Sequence, residues 1–166
     1  MNENLVLIGY RGAGKSVVGR NIAEKTRKNY ISTDELIVDR VGPIDQYIRE
    51  HGWSEFRELE HEIILDIETE NSIIDCGGGV IELQENYLPL KNLGIIFWLK
   101  AKVQTIIDRI KETQNRPALT DQDFISEIPT VLERRIPLYR KFADYEIATD
   151  NRSIEDISQE IINKIS

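Results

Sequence analysis

Five short runs of apolar residues punctuate the chain: Leu5–Ile8, Tyr30–Thr33, Ser72–Cys76, Ile95–Leu99 and Tyr145–Thr149. Three of them, LVLI, SIID and IIFWL, are nearly continuous, the pattern of strands buried on both faces. Stretches with helical spacing separate them, near residues 15–27, 53–69, 102–112 and 124–142. The last segment, SIEDISQEIINKI, sets Ile154, Ile157, Ile161 and Ile165 on one stripe of a helix. Ser153 and Asp156 give that helix a start resembling a capping box. Strands alternating with helices predict a parallel sheet covered on both faces, a three-layer α/β/α arrangement with five strands. No repeat, low-complexity tract or interdomain linker interrupts the pattern, so residues 1–166 read as a single domain.

Two segments break the rhythm. DELIVDRVGPIDQYIREHGW packs short helical pieces around Gly42, Pro43 and Gly52, enough chain for a small subdomain at about residues 34–61. KETQNRPALTDQD is polar and broken by Pro117, which predicts a surface loop or mobile lid at about residues 112–124.

Composition narrows the function. A chain of 166 residues with 40% hydrophobic and 30% charged content can bury a sizeable core. Its net charge of −8 rules out the basic face that nucleic acid or an anionic membrane would require. An anionic ligand must then be drawn in by a few local cations. The lone Cys76 fits a reducing compartment. The apolar run in MNENLVLIGY is too short for a signal peptide or a membrane span, which points to the cytoplasm.

Gly9-Tyr10-Arg11-Gly12-Ala13-Gly14-Lys15-Ser16 satisfies the phosphate-loop pattern G-x-x-x-x-G-K-[ST], with a strand before it and an amphipathic helix after. The glycines let the backbone curl so that successive N–H groups face an anion. Lys15 adds a point charge near the β and γ phosphates, Ser16 offers an oxygen to Mg²⁺, and the following helix presents its positive end. Gly12, Ala13, Gly14, Lys15, Ser16 and Val17 thus form the nucleotide-binding set. The motif calls for a nucleoside triphosphate and leaves the acceptor open.

Other residues bear on the acceptor. Asp34 follows the second strand at the edge where ligands of open α/β sheets bind, and it would equally serve as a helix N-cap. Arg57 and Glu60 lie one turn apart on a helix. They read either as a solvated ion pair or as a carboxylate clamp held by its neighbour. Gly77, Gly78 and Gly79 end a strand, as befits a surface that a ligand must approach closely. Asp75-Cys76-Gly77-Gly78 also matches D-x-x-G, yet no N/T-K-x-D guanine signature accompanies it, which weakens a GTPase reading. Arg116 sits in the expected lid, where an arginine can stabilise transferring phosphate. Arg135 reads as a second half of the clamp or as a helix surface charge. His51, His61 and Cys76 form no zinc pattern, and Trp53 and Trp98 read as packing residues.

Together these features resemble the shikimate kinase family nearly end to end. The matching elements are Gly9–Ser16, Asp34, Phe56-Arg57 with Glu60, Gly77–Gly79, Arg116-Pro117 with Leu119, and Arg135 with Pro137-Leu138-Tyr139. The resemblance implies a P-loop kinase fold whose small subdomain binds the acceptor and whose lid closes over it. It also implies transfer of the ATP γ-phosphoryl group to the 3-hydroxyl of shikimate. By this resemblance, Asp34 accepts the hydroxyl proton, Arg57 and Arg135 bind the acceptor carboxylate, and Gly78 and Gly79 contact the ring hydroxyls. Lys15 and Arg116 neutralise transferring phosphate, Ser16 holds Mg²⁺, Arg109 stacks near adenine, and the protein is a monomer.

The chain departs from the family pattern in one place that matters. The family carries D-x-D after the second strand, where this chain has Ser32-Thr33-Asp34 and so lacks the first carboxylate. Asp75, at a position where the family commonly has a small residue, is the candidate replacement in the Mg²⁺ site. Three alternatives stand beside the leading reading: a kinase for another hydroxy-acid such as quinate or gluconate, a nucleotide kinase, and a nucleotide-binding regulator with weak catalysis.

Overall fold

A computed structural model describes residues 3–113 and 125–166 of the chain. Strands β1 (Leu5–Ile8), β2 (Asn29–Ser32), β3 (Ser72–Asp75), β4 (Ile95–Lys100) and β5 (Tyr145–Ala148) pair in the order β2-β3-β1-β4-β5. Every pairing is parallel. All five expected strands are present, each within one residue of its expected ends. The central β1 is wholly buried, which is why its four residues carry no polar alternation.

Side-chain alternation divides the core into two layers. Val6 and Ile8, with Ile74, Ile96 and Trp98, face α4 (Tyr87–Leu93), α5 (Val103–Thr113) and α6 (Ile128–Phe142) through Leu90, Ile106, Leu132 and Phe142. Leu5 and Leu7, with Ile73, Phe97 and Leu99, face α1 (Lys15–Thr26) and α7 (Ile154–Ile165) through Val18, Ile22, Ile157 and Ile161. The three-layer arrangement follows directly from this split. Within the α7 stripe, Ile157 and Ile161 carry the burial, whereas Ile154 remains 43% exposed.

A third apolar cluster joins α2 (Thr33–Val41) to α3 (Ile44–Leu65), with Ile37, Phe56, Leu59 and Ile63 at its centre. Helix α3 is broken at Gly52, whose φ of 86° lies in the left-handed region that glycine adopts without strain. The expected helix from residue 53 is the second half of α3, and the preceding pieces are its first half and α2. Ser32 caps α2 by accepting a hydrogen bond from the Glu35 amide at 3.3 Å. Asp34 is therefore not the cap; it stands inside the first helical turn. Helix α4 was not expected, because seven residues with Pro89 among them show no clear apolar period. Most of the expected lid, including Arg116, lies outside the described residues. Among the described residues, no helix is long and apolar enough to cross a membrane.

Candidate active site

The phosphate loop joins β1 to α1. Gly9, Gly12 and Gly14 have φ of 147°, 85° and 97°, so all three use conformations that side chains rarely adopt. At Gly9 a β-carbon would also lie 2.6 Å from the Leu99 carbonyl oxygen, so the loop presses against the end of β4. Gly14 occupies the N-cap of α1 and supplies no side-chain cap, which leaves the first helical amides available to an anion. Lys15 is buried, and its ammonium donates to the Gly9 and Tyr10 carbonyls at 2.7 and 3.2 Å. Arg109 braces the same loop from α5. It donates to the carbonyls of Gly12 and Ala13 at 3.1 and 3.2 Å and to the Thr149 carbonyl at 3.1 Å.

A cleft of about 730 Å³ opens beside the loop at the carboxyl ends of the strands. Lys15, Ser16, Asp34, Arg57, Asp75, the three glycines and Arg135 all line it. This is the edge where open parallel sheets bind ligands. A shallower hollow of about 970 Å³ lies at the amino ends of the strands, around Asn4, Gly94 and Asp144. It gathers none of the residues singled out from the sequence.

The glycine run is the meeting point of the cleft. A β-carbon on Gly77 would lie 2.9 Å from both Asp34 Oδ1 and Glu60 Oε2. One on Gly79 would lie 2.3 Å from an Arg57 nitrogen, and one on Gly78 would lie 3.6 Å from Arg135 Nη1. Thr33, fully buried, accepts a hydrogen bond from the Gly77 amide at 3.0 Å. That bond fixes the neighbouring Asp34 against the glycines. Tyr139 donates to the Gly78 carbonyl at 2.6 Å and so secures the middle of the run.

Arg57 and Glu60 are not a solvated pair. Their side chains are 14% and 1% exposed and meet at 3.1 Å. Burial pushes the Glu60 carboxyl above its ordinary range, with Arg57 opposing the shift and Asp34 reinforcing it. Trp53 and Phe56 flank the Arg57 guanidinium, their ring centroids 5.1 and 5.3 Å from it. Trp53 is thus a cleft wall as well as a packing residue, while Trp98 is buried in the core. Arg135 is only 3% exposed, which excludes the surface-charge reading. Its guanidinium lies over the Tyr10 ring at 5.5 Å and 3.9 Å from Glu82. Its Nε meets no acceptor among the described residues, and a buried donor of that kind is costly until an anion arrives.

Asp75 ends β3 and is 5% exposed. Ser16 of the phosphate loop donates to its Oδ2 at 2.8 Å, and the Tyr30 hydroxyl donates to the same oxygen. Burial and the bond to Asp75 push the Tyr30 phenol well above its usual value, so it remains a donor at neutral pH. The sequence reading did not single out Tyr30. The available signal was its place two residues before Ser32, on the same face of one strand. Cys76 is buried and its thiol is pushed well up by burial, which makes it a poor nucleophile. Among the described residues no group of three or more His, Cys, Asp or Glu could enclose a metal ion.

Comparison with known proteins matches nearly the whole chain. The family model described as Shikimate kinase matches residues 11–166. A shikimate kinase of Caldanaerobacter subterraneus subsp. tengcongensis is 36% identical over 162 residues, covering 96% of this chain and 94% of that one. One from Thermodesulfovibrio yellowstonii is 37% identical over 164 residues, covering 98% and 94%. Among solved structures, shikimate kinase from Acinetobacter baumannii in complex with shikimate superposes with a TM-score of 0.92. It is 30% identical and covers 99% of this chain and 93% of that one.

Proposed function

The chain belongs to the shikimate kinase family, whose members use ATP, and from that premise we propose how its residues divide the work. The activity is transfer of the ATP γ-phosphoryl group to the 3-hydroxyl of shikimate. Arg57 and Arg135 hold the acceptor carboxylate, and the backbone at Gly78 and Gly79 contacts the ring hydroxyls. The observation that carries this reading is the convergence at the glycine run, where the Asp34, Glu60, Arg57 and Arg135 side chains approach three adjacent positions that carry no side chain of their own.

Asp34 accepts the proton of the 3-hydroxyl as its oxygen bonds to the γ-phosphorus and the bond to the ADP bridging oxygen breaks. Phosphoryl transfer asks for in-line positioning and charge stabilisation more than for a strong base, so an exposed carboxylate suffices. Lys15 stabilises the charge on the transferring group, and the amides from Gly12 to Val17 hold the nucleotide phosphates. Arg109 keeps the loop in shape and stands near the adenine. Arg116, which lies outside the described residues, is given the same role as Lys15 on the sequence pattern alone.

Ser16 and Asp75 are the protein oxygens for Mg²⁺. Their bond at 2.8 Å sets two oxygens together on the cleft wall, where they would hold the cation that accompanies the nucleotide. Bound with the nucleotide, that cation would offset negative charge on the β and γ phosphates. The protein works as a monomer in the cytoplasm.

The test is Mg·ATP-dependent ADP release with shikimate, run beside quinate, gluconate, AMP and a control without acceptor. Turnover confined to shikimate supports the reading. Nucleotide binding without turnover on any acceptor would instead favour the regulator reading and make the missing acid at position 32 decisive.

A further inference from the structure

Strands β2 and β3 lie side by side, with Ser32 the Cα partner of Asp75 and Tyr30 the partner of Ile73. Tyr30 and Ser32 share a face of β2. They do different work there. Ser32 turns to the Glu35 amide and caps α2, while Tyr30 reaches diagonally across to Asp75 Oδ2.

The Tyr30 ring has little freedom to leave. A β-carbon on Gly19 would sit 3.0 Å from its Cε2, so the ring packs close against that glycine of α1. The Arg20 guanidinium covers the ring with 4.2 Å to its centroid. The bond to Asp75 is thus made by a side chain that packing already holds in place.

That bond meets a need. A carboxylate that is 5% exposed must find donors or lose its charge. Among the described residues, two hydroxyls meet Asp75 Oδ2, from Tyr30 and Ser16. Ser16 donates its hydroxyl hydrogen bond to Asp75, which leaves the oxygen lone pairs turned away from that bond and free to act as a ligand. With Oδ2 occupied from both sides, the carboxylate plane is fixed and Asp75 still lines the cleft. Replacing a residue that orients a metal ligand through its other hydrogen bond typically costs on the order of 10–100-fold in metal affinity.

We propose that Tyr30 is a positioning residue for the divalent cation that accompanies the nucleotide, acting through Asp75 and Ser16. The inference rests on the reading of Ser16 and Asp75 as the protein oxygens for Mg²⁺. A phenylalanine would fill the same space on Gly19 and under Arg20. It would leave Asp75 with a single donor, and the carboxylate could then turn away from Ser16.

The experiment is calorimetric titration of ADP into the full chain at increasing Mg²⁺, for the wild type, Tyr30→Phe and Asp75→Asn. It reads binding rather than turnover. Tyr30→Phe is expected to keep the metal-free Kd for ADP, while the loss of one donor to a buried carboxylate lowers the thermal midpoint. It should need on the order of tenfold more Mg²⁺ to reach the metal-bound Kd, with Asp75→Asn shifted further. An unshifted Mg²⁺ midpoint in Tyr30→Phe beside a shifted one in Asp75→Asn would overturn the inference and leave the metal reading standing. An equal loss of metal-free affinity in Tyr30→Phe would mark a structural role and also overturn it. If Asp75→Asn keeps the wild-type midpoint, or wild-type affinity ignores Mg²⁺, the metal reading falls and the inference with it.

Discussion

The Arg57 guanidinium lies 3.1 Å from the Glu60 carboxylate, one turn along α3, and the glutamate side chain is 1% exposed. The cation proposed to face the acceptor is therefore held by an anion that solvent does not reach. The proposed acceptor binding and fold stability meet in this pair, and mutation can separate them.

Arg57→Ala strands a buried carboxylate and is expected to cost about 3 kcal/mol of stability in urea denaturation. The double variant Arg57→Ala with Glu60→Gln should regain most of that loss. Its KM for shikimate should stay raised by roughly 30-fold or more, because the acceptor carboxylate has lost a charged partner. Recovery of both quantities together would mean that Arg57 is structural only.

Glu60 also gives stability a pH dependence of definite sign. Burial raises its carboxyl above the unfolded value, so folding takes up a proton in the window between the two. Its contribution is complete below the ordinary glutamate value of about 4.3 and is lost as pH rises through the raised folded value. Glu60→Gln should therefore flatten the decline in urea midpoint on going upward from about pH 4. A parallel decline in both proteins would assign the pH dependence to other groups.

The glycine run predicts two distinct kinetic defects. An alanine at Gly77 would press on Asp34 and Glu60, whereas one at Gly79 would press on Arg57. Gly77→Ala should lower kcat by on the order of 10²-fold, the usual scale for a displaced proton acceptor. Gly79→Ala should chiefly raise KM for shikimate, by roughly tenfold, with KM for ATP unchanged. The same defect from both substitutions would refute the division of roles along the run.

The pairing of Ser32 with Asp75 predicts that the carboxylate can be moved back. Asp75→Ala should raise the Mg²⁺ requirement, and adding Ser32→Asp should restore much of it. Aspartate caps a helix about as well as serine, so α2 should not suffer. Mg²⁺ titrations of ADP binding for the single and double variants decide the matter. A double variant no better than Asp75→Ala alone would count against exchange between the two strands.

Much of this architecture was legible in the sequence because its strands are buried on both faces. A run such as LVLI has few other places to go, and all five strands fall within one residue of their expected ends. The cradle was legible for a similar reason, since Gly9, Gly12 and Gly14 all take positive φ angles that other residues resist. Burial of charge was not legible. Arg135 and the Arg57–Glu60 pair carry helix-surface spacing, and only the packing of α6 and α3 against the glycine run removes them from water. Tyr30 was missed because its partner lies 45 residues away on the neighbouring strand. Trp53 was assigned to packing, although its place four residues before Arg57 already sets the two on one helix face. Helix α2 was placed with Asp34 as a possible cap, and the shorter Ser32 hydroxyl took that position instead.

The parallel register of β2 and β3 also bears on how chains of this kind descend from one another. Column by column, an alignment would record an acid absent at position 32 and an unrelated acid present at position 75. Across the sheet, position 32 is the Cα partner of position 75, so the two places lie one strand spacing apart, about 4.8 Å. Neighbouring strands in register thus offer two addresses for one charge. A motif scan that demands the acid at one strand end will pass over chains that keep it on the next.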